Sequence, residues 1–167
     1  MVSFSKEECI EIINLSGQYT PCHSSTIFTR KDYDYYFHVL VRDKNTQWIF
    51  DRIRNFLNKK YPDNISHQMP AIFLHRYLKG NKFARHNDST NHPDQVLNVG
   101  VCLNTNYKEG NFLVYNPNEI IPKEVGLIYT LESNRDHEIT EITEGERWSL
   151  IIFFNKIQLL SDKSRVI

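Results

Sequence analysis

The segment Arg147-Trp148-Ser149-Leu150-Ile151-Ile152-Phe153-Phe154 is apolar on both faces of an extended chain over much of its length. Successive side chains of a strand point to opposite sides. Trp148, Leu150, Ile152 and Phe154 therefore share one face, and Ser149, Ile151 and Phe153 share the other with Arg147. A strand buried on both faces cannot sit on a sheet with one wet side. If it belongs to a barrel, something outside the barrel must cover it.

The N-terminal part supplies that cover. Ser5 followed by Glu8 reads as a capping box, and Cys9, Ile12 and Ile13 follow at helical spacing, which predicts a helix over Lys6–Leu15. Ser16-Gly17 ends it, and the polar stretch to Asp32 reads as an irregular loop. Tyr33–Val41, rich in aromatic and β-branched residues, reads as one strand. Thr46–Lys59 puts Trp48, Ile49, Ile53, Phe56 and Leu57 on one helical stripe and stops before Tyr61-Pro62.

From Met69 the texture changes to short strands between turn residues. Ala71–Leu78, Phe83–Asp88, Val96–Leu103, Asn111–Tyr115, Gly126–Leu131, His137–Ile142 and Arg147–Phe154 are the candidates. Many short, closely spaced strands suggest a barrel or a double-sheet jelly roll. The expected class is α+β, mainly β, with the helices packed on one side. A chain of 167 residues suits one domain, residues 1–167, with helical support over about 1–65 and a β core over about 70–155.

Composition removes several function classes. Twenty basic and twenty acidic side chains cancel, so no overall field favours nucleic acid or an anionic membrane. The longest apolar run, Leu150–Phe154, is too short to span a bilayer, and the N-terminus lacks the basic-then-apolar order of a signal peptide. Cys9, Cys22 and Cys102 are odd in number and widely spaced, which argues against a disulfide framework or a thiolate zinc site. A reducing, cytoplasmic location is the expectation.

The chemistry rests on a few residues. If Phe83–Asp88 is a strand, His86 and Asp88 point to the same side. His137, starting a later strand, would add a second imidazole, completing the two-histidine, one-carboxylate facial set of non-haem Fe(II) oxygenases. Arg147 opens the last strand with Ser149 on its face, where an arginine can grip a carboxylate through two parallel bonds. The competing reading of Arg147 is a surface ion pair with Glu144 or Glu146. Asn98 can face the pocket or solvent. His23, His38, His67 and His75 read as surface or core histidines, and His92 as a loop residue within reach of a substrate. Tyr33, Tyr35, Tyr36 and Phe37 read as core, with a substrate-binding wall as the alternative.

Taken in order, these pieces resemble a known family. Arg76-Tyr77-Leu78-Lys79-Gly80, His86-Asn87-Asp88, Leu103-Asn104, Tyr107–Phe112, Pro122–Gly126, His137-Glu138-Ile139 and Gly145–Ser149 are similar to the 2-oxoglutarate- and Fe(II)-dependent dioxygenases, and most to their prolyl 4-hydroxylase-like branch. The likeness spans about Ile72–Phe154. It implies a double-stranded β-helix, with Fe(II) on His86, Asp88 and His137. It also implies 2-oxoglutarate and O2 as cosubstrates, with ascorbate as an optional reductant. Arg147 would hold the distal carboxylate of 2-oxoglutarate, helped by Tyr77 and Ser149. The substrate implied is a prolyl residue of a peptide or protein. The alternatives are a lysyl residue, a free amino acid, or a cupin-like metal module without 2-oxoglutarate turnover. The chain departs from the family pattern at Glu109-Gly110-Asn111, where a Gly-Gly pair is usual, and at Cys102, where some relatives carry a tyrosine.

Overall fold

The computed structural model describes residues 3–27, 33–61 and 69–155. Pro62, His67 and residues 28–32 of the expected loop lie outside these. Helix α1 runs Lys6–Asn14 on the expected capping box: the Glu8 amide donates to the Ser5 hydroxyl at 3.2 Å, and the Ser5 amide donates to the Glu8 carboxylate at 2.8 Å. Two amide donors that a helix start leaves open are thereby satisfied. Helix α2, Gln47–Lys60, buries Ile49, Phe50, Ile53 and Leu57, with Trp48 and Phe56 half-buried beside them.

Among the described residues, three strands come from the N-terminal part: β1 (Cys22–His23), β2 (Tyr33–Asp34) and β3 (Tyr36–Leu40). Then follow β4 (Ile72–Tyr77), β5 (Lys82–His86), β6 (Gln95–Cys102), β7 (Lys108–Glu109) and β8 (Phe112–Val114). The last are β9 (Glu119–Ile121), β10 (Ile128–Glu132), β11 (His137–Ile139), β12 (Ile142–Glu144) and β13 (Arg147–Asn155). One sheet has the order β1-β3-β4-β13-β6-β10, the second β2-β5-β11-β8-β9, and β7 pairs with β12 in a short ribbon. Pairing is antiparallel throughout.

Strand β13 lies between β4 and β6 and works on both faces. Trp148, Leu150, Ile152 and Phe154 pack with Ile72, Leu74, Val99 and Val101 against the buried stripes of both helices. The helices are thus the outer cover that the two-sided strand demands. Arg147, Ser149, Ile151 and Phe153 point the other way, into a cavity walled by both sheets. The double-stranded β-helix is the fold observed.

Two expected strands break in two, each for a local reason. Tyr33–Val41 is interrupted at Tyr35, because β2 pairs with β5 in one sheet and β3 with β4 in the other. Ser24 holds this corner: its amide donates to the Tyr35 carbonyl at 2.9 Å, and its hydroxyl accepts from the Tyr35 amide at 3.1 Å. His137–Ile142 splits after Ile139, where the Thr140 amide turns to Asn111 and the Ile142 amide to Asn81, each at 3.0 Å. The expected irregular loop after α1 contains a 3-10 turn over Leu15–Gln18, then β1, then a second such turn over Ser24–Thr26. Lys108–Glu109 and Glu119–Ile121, too short and polar to show a period of two, are strands that the sequence pattern misses.

The helical layer is tied to the core by the N-terminal segment. The Phe4 amide donates to the Gly126 carbonyl at 3.1 Å. Gly126 sits at φ +83°, and a Cβ there would lie 1.9 Å from the Phe4 carbonyl oxygen, so only glycine permits this approach. Ile53, fully buried where α2 meets the sheet, tests whether the helices hold the fold. Ile53→Ala is expected to cost about 2–5 kcal/mol of unfolding free energy, measured by urea denaturation. A loss typical of a surface site would show that the helical layer is dispensable.

Candidate active site

Adjacent strands bring the histidines together. In the β5–β11 pairing, His86 lies directly opposite His137, and the ring centroids are 4.4 Å apart. Asp88 arrives differently from the expectation. Strand β5 ends at His86, Asn87 remains extended, and Asp88 begins a 3-10 turn over Asp88–Thr90. The turn forms because the Asn87 side chain accepts from the Thr90 amide at 3.0 Å, a local bond that competes with the strand ladder. The Asp88 carboxylate still reaches both rings, with Oδ1 3.3 Å from His86 Nε2 and Oδ2 3.5 Å from His137 Nε2.

The three donor atoms lie within 4.8 Å of one another. Each imidazole is oriented from behind: His86 Nδ1 bonds the Ala84 carbonyl at 2.7 Å and His137 Nδ1 bonds the Arg135 carbonyl at 2.9 Å. A carbonyl only accepts, so Nδ1 carries the proton and the Nε2 lone pair faces the shared point. Burial lowers the His137 pKa below the usual histidine value despite Asp88 beside it, favouring the neutral form that ligates. His86 Nε2 is buried without a hydrogen-bond partner. Two lone pairs and a carboxylate converging on one point fit a divalent cation, with a face left open.

Behind this set stands Asn98. Its side-chain amide donates to Asp88 Oδ2, while its own oxygen accepts from Ser133 Oγ at 3.1 Å and Gln95 Nε2 at 2.8 Å. The Ser133 carbonyl accepts from the Asp88 and Ser89 amides at 3.0 and 3.1 Å. Of the two readings of Asn98, it faces the pocket, where it orients the carboxylate. Phe83 stacks on His86 at 4.0 Å and Phe112 meets His137 edge-on at 5.5 Å, which fixes the rings without polar competition.

Deeper in the cavity lies Arg147. Only 5% exposed, it donates from Nη1 to Ser149 Oγ at 2.9 Å, and its guanidinium rests 5.4 Å from the ring centroid of Tyr77, its cross-strand neighbour. Tyr77 therefore meets the cation with its ring face and stacks in turn on Tyr35 at 5.0 Å. The competing surface ion pairs do not form: Glu146 pairs with Arg76 at 2.7 Å and Glu144 with Lys108 at 2.5 Å. Among the described residues no carboxylate neutralises Arg147. A buried cation without a counter-ion is costly, and an anion entering this pocket removes that cost.

Outside the cluster opens an aromatic groove of about 390 Å³, lined in part by Tyr33, Tyr35, Phe37, Phe73, Phe83 and Phe153. Tyr33, Tyr35 and Phe37 are thus both buried and groove-lining, whereas Tyr36 packs edge-on against His23 at 4.8 Å. His92 stands at the rim, as its loop position predicts, with Asn87, Asn91 and Gln95. His23 and His38 are structural, bonded to Asp34 at 2.8 Å and to the Tyr19 carbonyl at 3.2 Å. His75 departs from the bland reading, because it lines both the groove and the inner cavity. Tyr129, which carries no motif, also lines the cavity. The signal for His75 is alternation: it is two residues before Tyr77 on β4, hence on the same face.

Two facing sheets around a cavity, with two imidazoles and a carboxylate clustered where it meets the outer groove, are the form of a non-haem oxygenase of the double-stranded β-helix kind. The sequence model of the 2OG-Fe(II) oxygenase superfamily matches residues 72–155, about half of the chain, and the chain belongs to that family. Members use Fe(II), 2-oxoglutarate and O2, and the clustered donors here suit that metal. A Burkholderia pseudomallei oxidoreductase of the 2OG-Fe(II) oxygenase family superposes with a TM-score of 0.75 at 19% identity, over 97% of this chain and 85% of that one. A prolyl hydroxylase from Trichoplax adhaerens, in complex with a hypoxia inducible factor oxygen degradation domain peptide fragment, gives 0.73 at 14%, over 92% and 79%. A Pseudomonas putida prolyl-4-hydroxylase gives 0.65 at 17%, over 89% and 83%. At such identities the likeness shows the fold alone. No curated protein sequence matches the chain. Among the described residues no helix is long and apolar enough to cross a membrane.

Burial, reinforced by the nearby Arg147 charge, pushes the His75 pKa from 6.5 down to about 3. Between these values the unfolded chain binds a proton that the folded chain refuses. Stability is therefore lost as pH falls through this window, by up to about 1.4 kcal/mol per pH unit for this one group. His75→Gln is expected to flatten the dependence of unfolding free energy on pH between about pH 6.5 and about pH 4. An unchanged slope in urea denaturation would show that His75 is protonated in the folded state.

Proposed function

We propose that this protein is an Fe(II)- and 2-oxoglutarate-dependent hydroxylase acting on a prolyl residue of a peptide or protein. The observation that carries the cosubstrate is Arg147, a buried guanidinium with no acid beside it, in a cavity that Asp88 and His137 also line, with His86 on the adjoining groove. In this reading His86, Asp88 and His137 hold the metal, and Asn98 keeps Asp88 aimed at it. Arg147 and Ser149 bind the distal carboxylate, and the Tyr77 ring supports the guanidinium. Fe(II) with 2-oxoglutarate supplies the oxidising chemistry when bound: substrate C–H, O2 and 2-oxoglutarate become substrate C–OH, succinate and CO2. The aromatic walls exclude water and present a substrate C–H to the open face.

The outer groove favours a neutral, apolar side chain. Its described lining holds no lysine, arginine or glutamate, and Asp88 is its one acid. A lysyl ammonium would find only that carboxylate, and the carboxylate of a free amino acid would find no cation. A pyrrolidine ring suits the aromatic walls, and the amide of Asn91 at the rim can meet a peptide backbone. The prolyl hydroxylase neighbours support the same substrate class. A cupin-like module without 2-oxoglutarate leaves Arg147 without a role. The full chain, 1–167, is read as one oxygenase domain with the N-terminal helices as support. Three free thiols, Cys9, Cys22 and Cys102, suit a reducing, cytoplasmic compartment.

Incubation of Fe(II)-loaded protein with 2-oxoglutarate and proline-rich peptides in air is expected to yield succinate and peptides carrying one added oxygen on proline, read by mass spectrometry. His137→Ala is expected to abolish both products. Arg147→Ala is expected to raise the half-saturating 2-oxoglutarate concentration about tenfold or more. No succinate from iron-loaded protein refutes the oxygenase reading. Oxygen found on lysine instead refutes the prolyl assignment alone.

A further inference from the structure

Tyr129 of β10 is paired directly with Gly100 of β6, and on the far side of β6 Gly100 faces Ile151 of β13. A side chain at residue 100 would block the way: a Cβ there would lie 2.0 Å from the Tyr129 ring and 2.2 Å from its hydroxyl oxygen. With glycine in place, the ring crosses the neighbouring strand and enters the cavity that Arg147 and Ser149 line. The Tyr129 hydroxyl is fully buried there beside the Arg147 guanidinium, and its own O–H has no acceptor. A buried O–H without an acceptor is costly unless a ligand supplies one. Burial holds its pKa up at about 12, against the opposing pull of Arg147, so the group remains a donor. Cys102, on the same face of β6, offers no equivalent, because its thiol is turned to the Asn104 carbonyl at 3.4 Å.

We infer that Tyr129 is a second anchor for the distal carboxylate of the cosubstrate, donating its hydroxyl to the anion that Arg147 neutralises, and that Gly100 exists to let it reach. The inference rests on the 2-oxoglutarate reading above. Arg147 supplies charge and Ser149 already accepts from the guanidinium. Tyr129 then adds a neutral donor from a different strand and closes the inner end of the cavity. The carboxylate is gripped from two directions, which makes binding depend on the position of the second acid group as well as its charge.

The test uses Fe(II)-loaded protein without oxygen, titrated with 2-oxoglutarate and followed by the visible charge-transfer band of the chelated metal. Tyr129→Phe removes one oxygen and keeps the ring that packs on Gly100. The variant is expected to show the same band, since the metal end is untouched, with half-saturation raised about tenfold. Titration with 2-oxobutyrate, which lacks the distal carboxylate, is expected to be the same in both proteins. Equal 2-oxoglutarate affinity in the two proteins overturns the inference. Equal weakening towards both acids also overturns it, because the effect would then lie at the metal or in the fold. If the unaltered protein binds iron yet gives no band with 2-oxoglutarate, the cosubstrate reading itself fails, and this inference with it.

Discussion

Burial of β13 on both faces is the constraint from which the rest follows. One face joins Leu150, Ile152 and Phe154 to the helices, and the other carries Arg147 and Ser149 into the cavity. Core and pocket are thus two sides of one pleat. A register shift of one residue would put the arginine among the leucines and the tryptophan in the pocket. The hydrophobic effect that seats the helices therefore also fixes the position of the guanidinium. Placement of a charge in the interior is secured by apolar side chains that never touch it.

The interior polar groups share a pattern: each is oriented from behind and incomplete in front. His86 and His137 are held through Nδ1, Asp88 through Asn98, and Arg147 through Ser149. Their reactive sides converge on the cavity and leave one another unsatisfied. A protein interior rarely tolerates so many open valences, and their concentration at one place marks a site built for small charged guests.

Much of this is legible in the sequence, and the exceptions have physical causes. The capping box at Ser5 and Glu8, the two-sided strand and the histidine–aspartate spacing can be read directly, because each is a short-range pattern that the backbone period enforces. The corner at Tyr35 cannot be, since it depends on a bond from Ser24, and an unbroken run of aromatics looks like one strand. Asp88 shares the face that alternation predicts, yet it belongs to a turn that Asn87 stabilises. Tyr129 and His75 carry no motif, and their roles depend on which strand lies next to which. Gly100 looks like a weak point in a strand until its neighbour across the ladder is known.

The bond between Asn98 and Asp88 has a mechanical side. Both imidazoles belong to the second sheet, whereas Asn98 belongs to β6 in the first. An ion held by the two rings and the carboxylate would therefore act as a clasp, joining one layer to the other through the Asn98 amide and the Ser133 carbonyl behind Asp88. Opening the sandwich would then require releasing the ion, so occupancy and rigidity rise together by mass action. Such a protein is a looser object empty than loaded, and it tightens around the oxidising centre only once that centre has been installed.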